Sequence, residues 1–137
     1  MGAAVSGGPP PADRYGERWL AHTAPTDARR LVLLQRLLDP ETRRILTGLR
    51  IRPHWRCLEL GAGIGSIAHW LGEQCPEGRV VATDVDVGSF EGAVAPPVEV
   101  LRHDVTTEGF PTGSFDLIHA RMLLVGLATR EIGRAHV

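Results

Sequence analysis

The spacing of hydrophobic residues predicts two helices before the first strand. The first covers about residues 27–38. Its apolar positions recur at helical spacing and are Leu31, Leu34, Leu37 and Leu38. A second helix is expected to start at Asp39 and Pro40, because aspartate caps helices and proline is tolerated at the first helical position. Gly48 is expected to end that second helix.

Four short apolar runs further along the chain predict β-strands. They are residues 55–60, 79–84, 98–101 and 114–119. A clear helix is expected over 64–71, and a weaker one over 88–95. Residues 101–115 are rich in turn formers and predict mostly loop, and another helix starts at about 122–127. Strands that alternate with helices indicate an α/β fold with a parallel sheet and right-handed crossovers.

The composition is that of an ordinary globular protein. The 137 residues allow a single domain, and 15 basic against 16 acidic residues leave a net charge of -1. Such a balance gives no electrostatic reason to expect nucleic acid or a membrane surface as a partner.

The glycine- and proline-rich residues 1–12 predict a disordered leader that lacks the features of a signal peptide. No apolar run approaches the roughly 18 residues of a membrane span. We therefore expect a cytoplasmic protein.

Neither the cysteines nor the histidines form a pattern typical of catalysis or metal binding. Cys57 and Cys75 make no CxxC pair, and Cys57 lies in an apolar run where a small buried thiol is the expected role. The six histidines show no HExxH or paired ligand spacing. We therefore expect no metal site and no cysteine nucleophile.

A glycine-rich turn, Glu59-Leu60-Gly61-Ala62-Gly63-Ile64-Gly65-Ser66, joins the first strand to its helix. Such a turn lets a ligand approach the backbone and its N–H groups, although the glycines could also serve only to close a tight turn. Ser66 stands where a dinucleotide fingerprint requires glycine or alanine. Glu59, at the end of the strand, would repel a diphosphate and attract a cation. The loop therefore favours a cationic ligand over a dinucleotide.

Acidic residues also follow the second and third predicted strands. Asp84 comes 19 residues after the last loop glycine and is placed to accept ribose hydroxyls, with Asp86 as a nearby rival and a helix cap as the alternative role. Asp104 can accept a hydrogen bond from an adenine amino group, while Val85 and Val105 pack on the ring; the alternative is a turn-forming aspartate. The carboxyl ends of parallel strands meet at one edge, so these acids are expected to converge on one crevice.

Together these motifs resemble those of class I S-adenosylmethionine-dependent methyltransferases. The resemblance covers about residues 15–130 and is carried by E-x-G-x-G-x-G at 59–65, VVATD at 80–84, LRHDV at 101–105 and GSFDLIHAR at 113–121. It implies a Rossmann-like methyltransferase fold with flanking helices, in which the first four strands form a partial parallel sheet in the order 3-2-1-4. It also implies S-adenosyl-L-methionine as cofactor and methyl transfer from its sulfonium to an O, N or C atom of a small-molecule acceptor.

The resemblance assigns roles residue by residue. Glu59 and the loop would hold the methionine portion, Asp84 the ribose and Asp104 the adenine, and His119 would lie near the methyl-transfer centre. His119 could orient the substrate or act as a base, or have no such role. The predicted cofactor-binding residues are Glu59, Gly61, Ala62, Gly63, Gly65, Asp84, Val85, Asp104, Val105 and His119. From the N-terminal side, the site could be covered by Tyr15, Trp19 and His22, which could equally pack on the domain.

Two other functions and one question of chain length stay open. The alternatives are an NAD(P)-dependent Rossmann oxidoreductase and a non-catalytic S-adenosylmethionine-binding protein.

The family's sheet has seven strands, and only four are readable here. Residues 131–137, EIGRAHV, look like a translated library adapter, so we expect a non-native tail after an N-terminal cofactor-binding part at 13–130; a genuine short tail is the alternative.

Overall fold

The computed structural model describes residues 25–121 and Leu123. Its elements in chain order are helix α1 (Pro25–Gly48), strand β1 (Arg56–Leu60), helix α2 (Ser66–Gln74), strand β2 (Arg79–Asp84), a 3₁₀ turn (Val87–Ser89), strand β3 (Val98–Arg102) and strand β4 (Leu117–Ala120). Within this part of the chain, no helix is both long and apolar enough to cross a membrane. The predictions for the leader, the aromatic N-terminal residues, the helix at 122–127 and the tail fall outside the described residues.

The four strands form one parallel sheet in the order β3-β2-β1-β4, which confirms the predicted fold class and strand order. β1 lies at the centre, where Leu58 pairs with Val81 of β2 and Ile118 of β4. Strands buried on both faces are expected to be apolar throughout, and β1 and β2 are buried along nearly their whole length. Because the strands are parallel, the carboxyl ends of β1, β2 and β4 meet at one edge of the sheet.

Successive residues of β1 point to opposite faces of the sheet and enter two separate cores. Cys57 faces the layer of helices and packs in a cluster with Leu71 of α2 and Leu46 of α1. Leu58 faces the other side and packs with Val81 and Val105. Because Glu59 is two residues after Cys57, its side chain lies on the helix-covered face.

The prediction of two N-terminal helices is wrong, because α1 is a single helix of 24 residues that contains Pro40. A proline inside a helix removes one backbone hydrogen bond and crowds the carbonyl four residues before it, and here contacts of the flanking side chains offset that cost. Asp39 and Thr42, on either side of Pro40, both accept hydrogen bonds from Arg121. Leu37 also departs from its predicted place on the apolar face, since it is 76% exposed.

Other elements differ from prediction mainly at their ends. The helix expected over 64–71 starts only at Ser66, because Gly65 adopts a left-handed conformation as its N-cap. The strand expected over 114–119 starts only at Leu117, since the backbone N–H of Ser114 closes a turn onto Pro111. The weak helix expected over 88–95 is wrong, because one 3₁₀ turn is all that forms there.

We expect Gly72→Ala to destabilise the fold. Gly72 lies on the buried side of α2, where an added Cβ would lie 2.6 Å from Cγ2 of Val98 on β3. Overpacking of this kind costs about 1–3 kcal/mol in the free energy of unfolding, which urea denaturation would measure. Gly48→Ala is the matched control, because a Cβ there meets nothing within 4 Å and is expected to leave stability unchanged or raise it by about 0.4–1 kcal/mol. Equal effects at both sites would contradict the packing account.

Candidate functional site

The glycine loop between β1 and α2 has a backbone conformation that strongly favours glycine at three positions. Gly61, Gly63 and Gly65 have φ values of 66°, 57° and 84°, in the left-handed region that other residues rarely adopt. The loop is tied to the sheet by the backbone N–H of Ala62, which donates to the Thr83 carbonyl of β2 at 2.8 Å. The sequence motif is thus a fixed turn at the carboxyl end of the central strand.

Two backbone N–H groups of this loop are bound by side-chain oxygens of the chain itself. Gly63 N donates to Oδ2 of Asp84 at 2.9 Å, and Ile64 N donates to Oε1 of Gln35 at 3.0 Å. A Cβ at Gly63 would overlap the amide nitrogen of Gln35. Sequence reasoning missed Gln35, although a polar residue within the apolar face of the predicted helix was the signal that could have found it.

Glu59, near the end of β1, is 4% exposed, and its carboxyl group contacts His119. It is the Cα partner of His119 on β4, and Nδ1 of His119 lies 2.6 Å from its Oε2. Burial raises the pKa of the Glu59 carboxyl, and the contact with His119 opposes that rise. The structure therefore brings together two of the predicted site residues, which stand 60 positions apart in the sequence.

A second, partly buried pair lies beside the first and attaches α1 to the end of β4. Arg121 Nη2 donates to Oδ1 of Asp39 at 2.8 Å, and its Nη1 donates to Thr42 Oγ1 at 3.0 Å. The side chains of Arg121 and Asp39 are 17% and 9% exposed. Both charges act on the Glu59 carboxyl, Arg121 lowering its pKa and Asp39 raising it. Sequence reasoning assigned no role to this pair, because its members are 82 positions apart.

Asp84 is half-buried at the end of β2, where its carboxylate is held in place by backbone groups. Oδ2 accepts from Gly63 N, and Oδ1 accepts from Asp86 N at 3.1 Å. Asp86 is exposed and accepts from Gly88 N, so it caps the 3₁₀ turn. Val85 between them is half-buried. Of the two rival acids, the structure places Asp84 against the glycine loop.

Asp104 and Val105 lie after β3, and the structure gives each a local structural role. Oδ1 of Asp104 accepts from the backbone N–H and the hydroxyl of Thr106, which forms a turn. Val105 is 5% exposed and packs in the core that contains Leu58, on the sheet face opposite Glu59. The turn-forming role left open by the sequence is therefore present, and contact with adenine stays a prediction for both residues.

Comparison with known proteins decides the family. Residues 57–136, more than half of the chain, match the family described as a methyltransferase domain. The chain belongs to the methyltransferase domain family. Its fold is similar to the crystal structure of a TehB-like SAM-dependent methyltransferase from Corynebacterium glutamicum ATCC 13032 Kitasato, with a TM-score of 0.54 and 22% sequence identity.

The match to that structure covers 81% of this chain and 62% of the other. The chain thus spans less than two thirds of the length of the solved methyltransferase that it resembles. A search of curated proteins finds no match. The family and the Rossmann-like methyltransferase fold expected from the sequence are confirmed.

The two cysteines of this methyltransferase domain lie outside the site. Their Sγ atoms are 3.7 Å apart in the core between β1 and α2, and both thiols are buried and free. Burial raises the pKa of Cys57 and of Cys75, which keeps both thiols protonated. Within the described residues no group of three or more potential ligands could hold a metal ion.

Substituting Glu59 by glutamine tests the burial of its charge. The pKa of Glu59 is raised in the folded state, whereas the carboxyl of the unfolded chain has a pKa of 4.5. Between these two pKa values, the folded domain retains a proton that the unfolded chain has released. The stability that this proton provides is complete below pH 4.5 and is lost as the pH rises through the folded pKa. We therefore expect the free energy of unfolding of the wild type, relative to Glu59→Gln, to fall as the pH rises toward neutrality.

Urea denaturation at a series of pH values would measure this difference. Glu73→Gln, at an exposed position of α2, is the matched control and is expected to differ from the wild type by a constant amount. A pH-independent difference for Glu59→Gln would show that the carboxyl does not titrate with folding.

Proposed function

We propose that the chain is the S-adenosyl-L-methionine-binding part of a methyltransferase that methylates an O, N or C atom of a small-molecule acceptor. One observation carries the proposal: the carboxyl group of Glu59, whose side chain is 5% exposed, lies near the end of β1 beside a loop with three left-handed glycines. A buried carboxylate attracts a positively charged ligand group strongly, because little water screens it. The ligand of this family has such a group in its ammonium.

The residues at the strand ends fit the remaining parts of that ligand. Asp84 accepts two backbone hydrogen bonds, and an ionised carboxylate has about four acceptor sites, so it retains capacity for ribose hydroxyls. The glycine loop lets a ligand approach the backbone. We assign the ammonium to Glu59, the ribose to Asp84, and the adenine to Val85, Asp104 and Val105.

The cofactor supplies a methyl group already activated on a sulfonium. The protein then needs to hold the acceptor in line and to exclude water, and it needs no nucleophile of its own. His119 binds Glu59 through Nδ1, so its main role in this arrangement is to orient and neutralise that carboxylate. We also propose that the other ring nitrogen of His119 orients the acceptor or acts as a base toward it.

Titration calorimetry tests the ligand class. We expect S-adenosylhomocysteine and S-adenosylmethionine to bind more tightly than NAD⁺, because the loop N–H groups that would hold a pyrophosphate are already bound by Asp84 and Gln35. Tighter binding of NAD⁺ would instead favour an oxidoreductase.

Methylation of a metabolite panel with labelled cofactor would then separate an enzyme from a non-catalytic binding protein.

Asp84→Asn tests the ribose assignment. An asparagine side chain still has an oxygen for Gly63 N but loses the charge that strengthens bonds to hydroxyls, so we expect affinity for S-adenosylhomocysteine to fall by about 1–3 kcal/mol. Asp86→Asn is the matched control two positions away and is expected to bind as the wild type does. Unchanged affinity in Asp84→Asn would remove Asp84 from the site.

A further inference from the structure

The contact between Glu59 and His119 supports an inference that rests on the proposed function. Their side chains are 5% and 15% exposed, and Nδ1 lies 2.6 Å from Oε2. An ionised carboxylate at such depth needs a compensating positive charge or a proton, because an unpaired buried charge is costly. His119 is the group in direct contact that can provide either.

The other charged or titratable groups around the pair do not supply a full compensating charge for Glu59. Asp39 of α1 and Arg121 after β4 bind each other at 2.8 Å and together carry no net charge. At the end of β2, Asp84 is an acid and cannot supply a positive charge. Cys57 on β1 is a neutral thiol, because burial raises its pKa. The positive charge opposite Glu59 must therefore come from a proton on the pair or from a ligand.

We propose that Glu59 and His119 together hold one proton when no ligand is bound, and that the ammonium of S-adenosylmethionine or S-adenosylhomocysteine displaces this proton on binding. The only covalent bond that breaks is the N–H or O–H bond that holds this proton. The proton passes to the solvent, and the ammonium takes its place as the compensating charge. His119 is thus a positioning residue that keeps the site electrically balanced before the ligand arrives.

Electrostatics gives the direction of the effect. A cation placed beside the pair disfavours a second positive charge there, so it lowers the proton affinity of the pair. The raised pKa of Glu59 is consistent with a pair that retains a proton in the ligand-free site. Ligand binding should therefore strengthen as the pH rises over the range in which the free pair is protonated.

Calorimetry of the wild-type chain with S-adenosylhomocysteine measures the proton directly. Titrations at about pH 6, in two buffers with different enthalpies of ionisation, give the number of protons released. At that pH the ligand's own ammonium does not titrate, since α-amino groups have pKa values of about 8. We expect release of about one proton per ligand, and an association constant that rises up to about tenfold per pH unit.

Two histidine variants locate the proton. In His119→Gln the amide can still donate a hydrogen bond to Glu59, but only the carboxyl can hold the proton, so release should move to lower pH. His69→Gln is the matched control, because that ring lies on α2 with Nε2 2.8 Å from the Glu91 carbonyl oxygen, and proton release should stay as in the wild type. Circular dichroism would establish that both variants are folded.

The possible outcomes separate this inference from the function on which it rests. Binding without proton release between about pH 5.5 and 7.5 would mean that a neutral His119 simply donates Nδ1–H to the carboxylate, and it would overturn the inference alone. Unchanged release in a folded His119→Gln would do the same. If neither adenosyl ligand binds at any pH, the proposed function itself fails; should His119→Gln not fold, the wild-type proton count decides.

Discussion

The site depends on a carboxylate buried at the end of the central strand. β1 has a neighbour on each side and helices over the face on which Glu59 lies, so this side chain has little access to water. A charge in that position is tolerated only with a partner of opposite sign or a shared proton. The pairing of β1 with β4 supplies that partner, since it places His119 directly opposite Glu59.

Contacts on both sides of Pro40 favour an N-terminal helix that continues through this proline. Gln35, Asp39 and Thr42 have the spacing i, i+4, i+7, which puts them on one face of α1. Gln35 contacts the glycine loop, whereas the other two contact Arg121 beyond β4. If the helix broke at Pro40, these contacts could not be made from one straight face. The polar stripe of α1 therefore joins the loop and the sheet edge into one site.

The sheet could be predicted from local sequence, because each strand is a short apolar run with its own boundaries. β2 was predicted over its full range, and the strand order followed from the family resemblance. The contacts within the site could not be predicted in this way. The partner of Glu59 depends on the register between strands about 60 positions apart, and the partner of Arg121 lies 82 positions away. Local patterns contain no such information.

The structure also changes which part of the loop selects a ligand. A glycine loop before a helix usually binds an anionic group through its free N–H groups. Here the N–H groups of Gly63 and Ile64 are bound by Asp84 and Gln35, so an anion would have to displace an oxygen of the protein. Two of the oxygen-bearing side chains that frame the loop, Glu59 and Asp84, are also acids. A diphosphate would thus meet acidic side chains and occupied donors, whereas an ammonium can replace the proton that balances Glu59. This contrast favours a cationic adenosyl ligand over a dinucleotide.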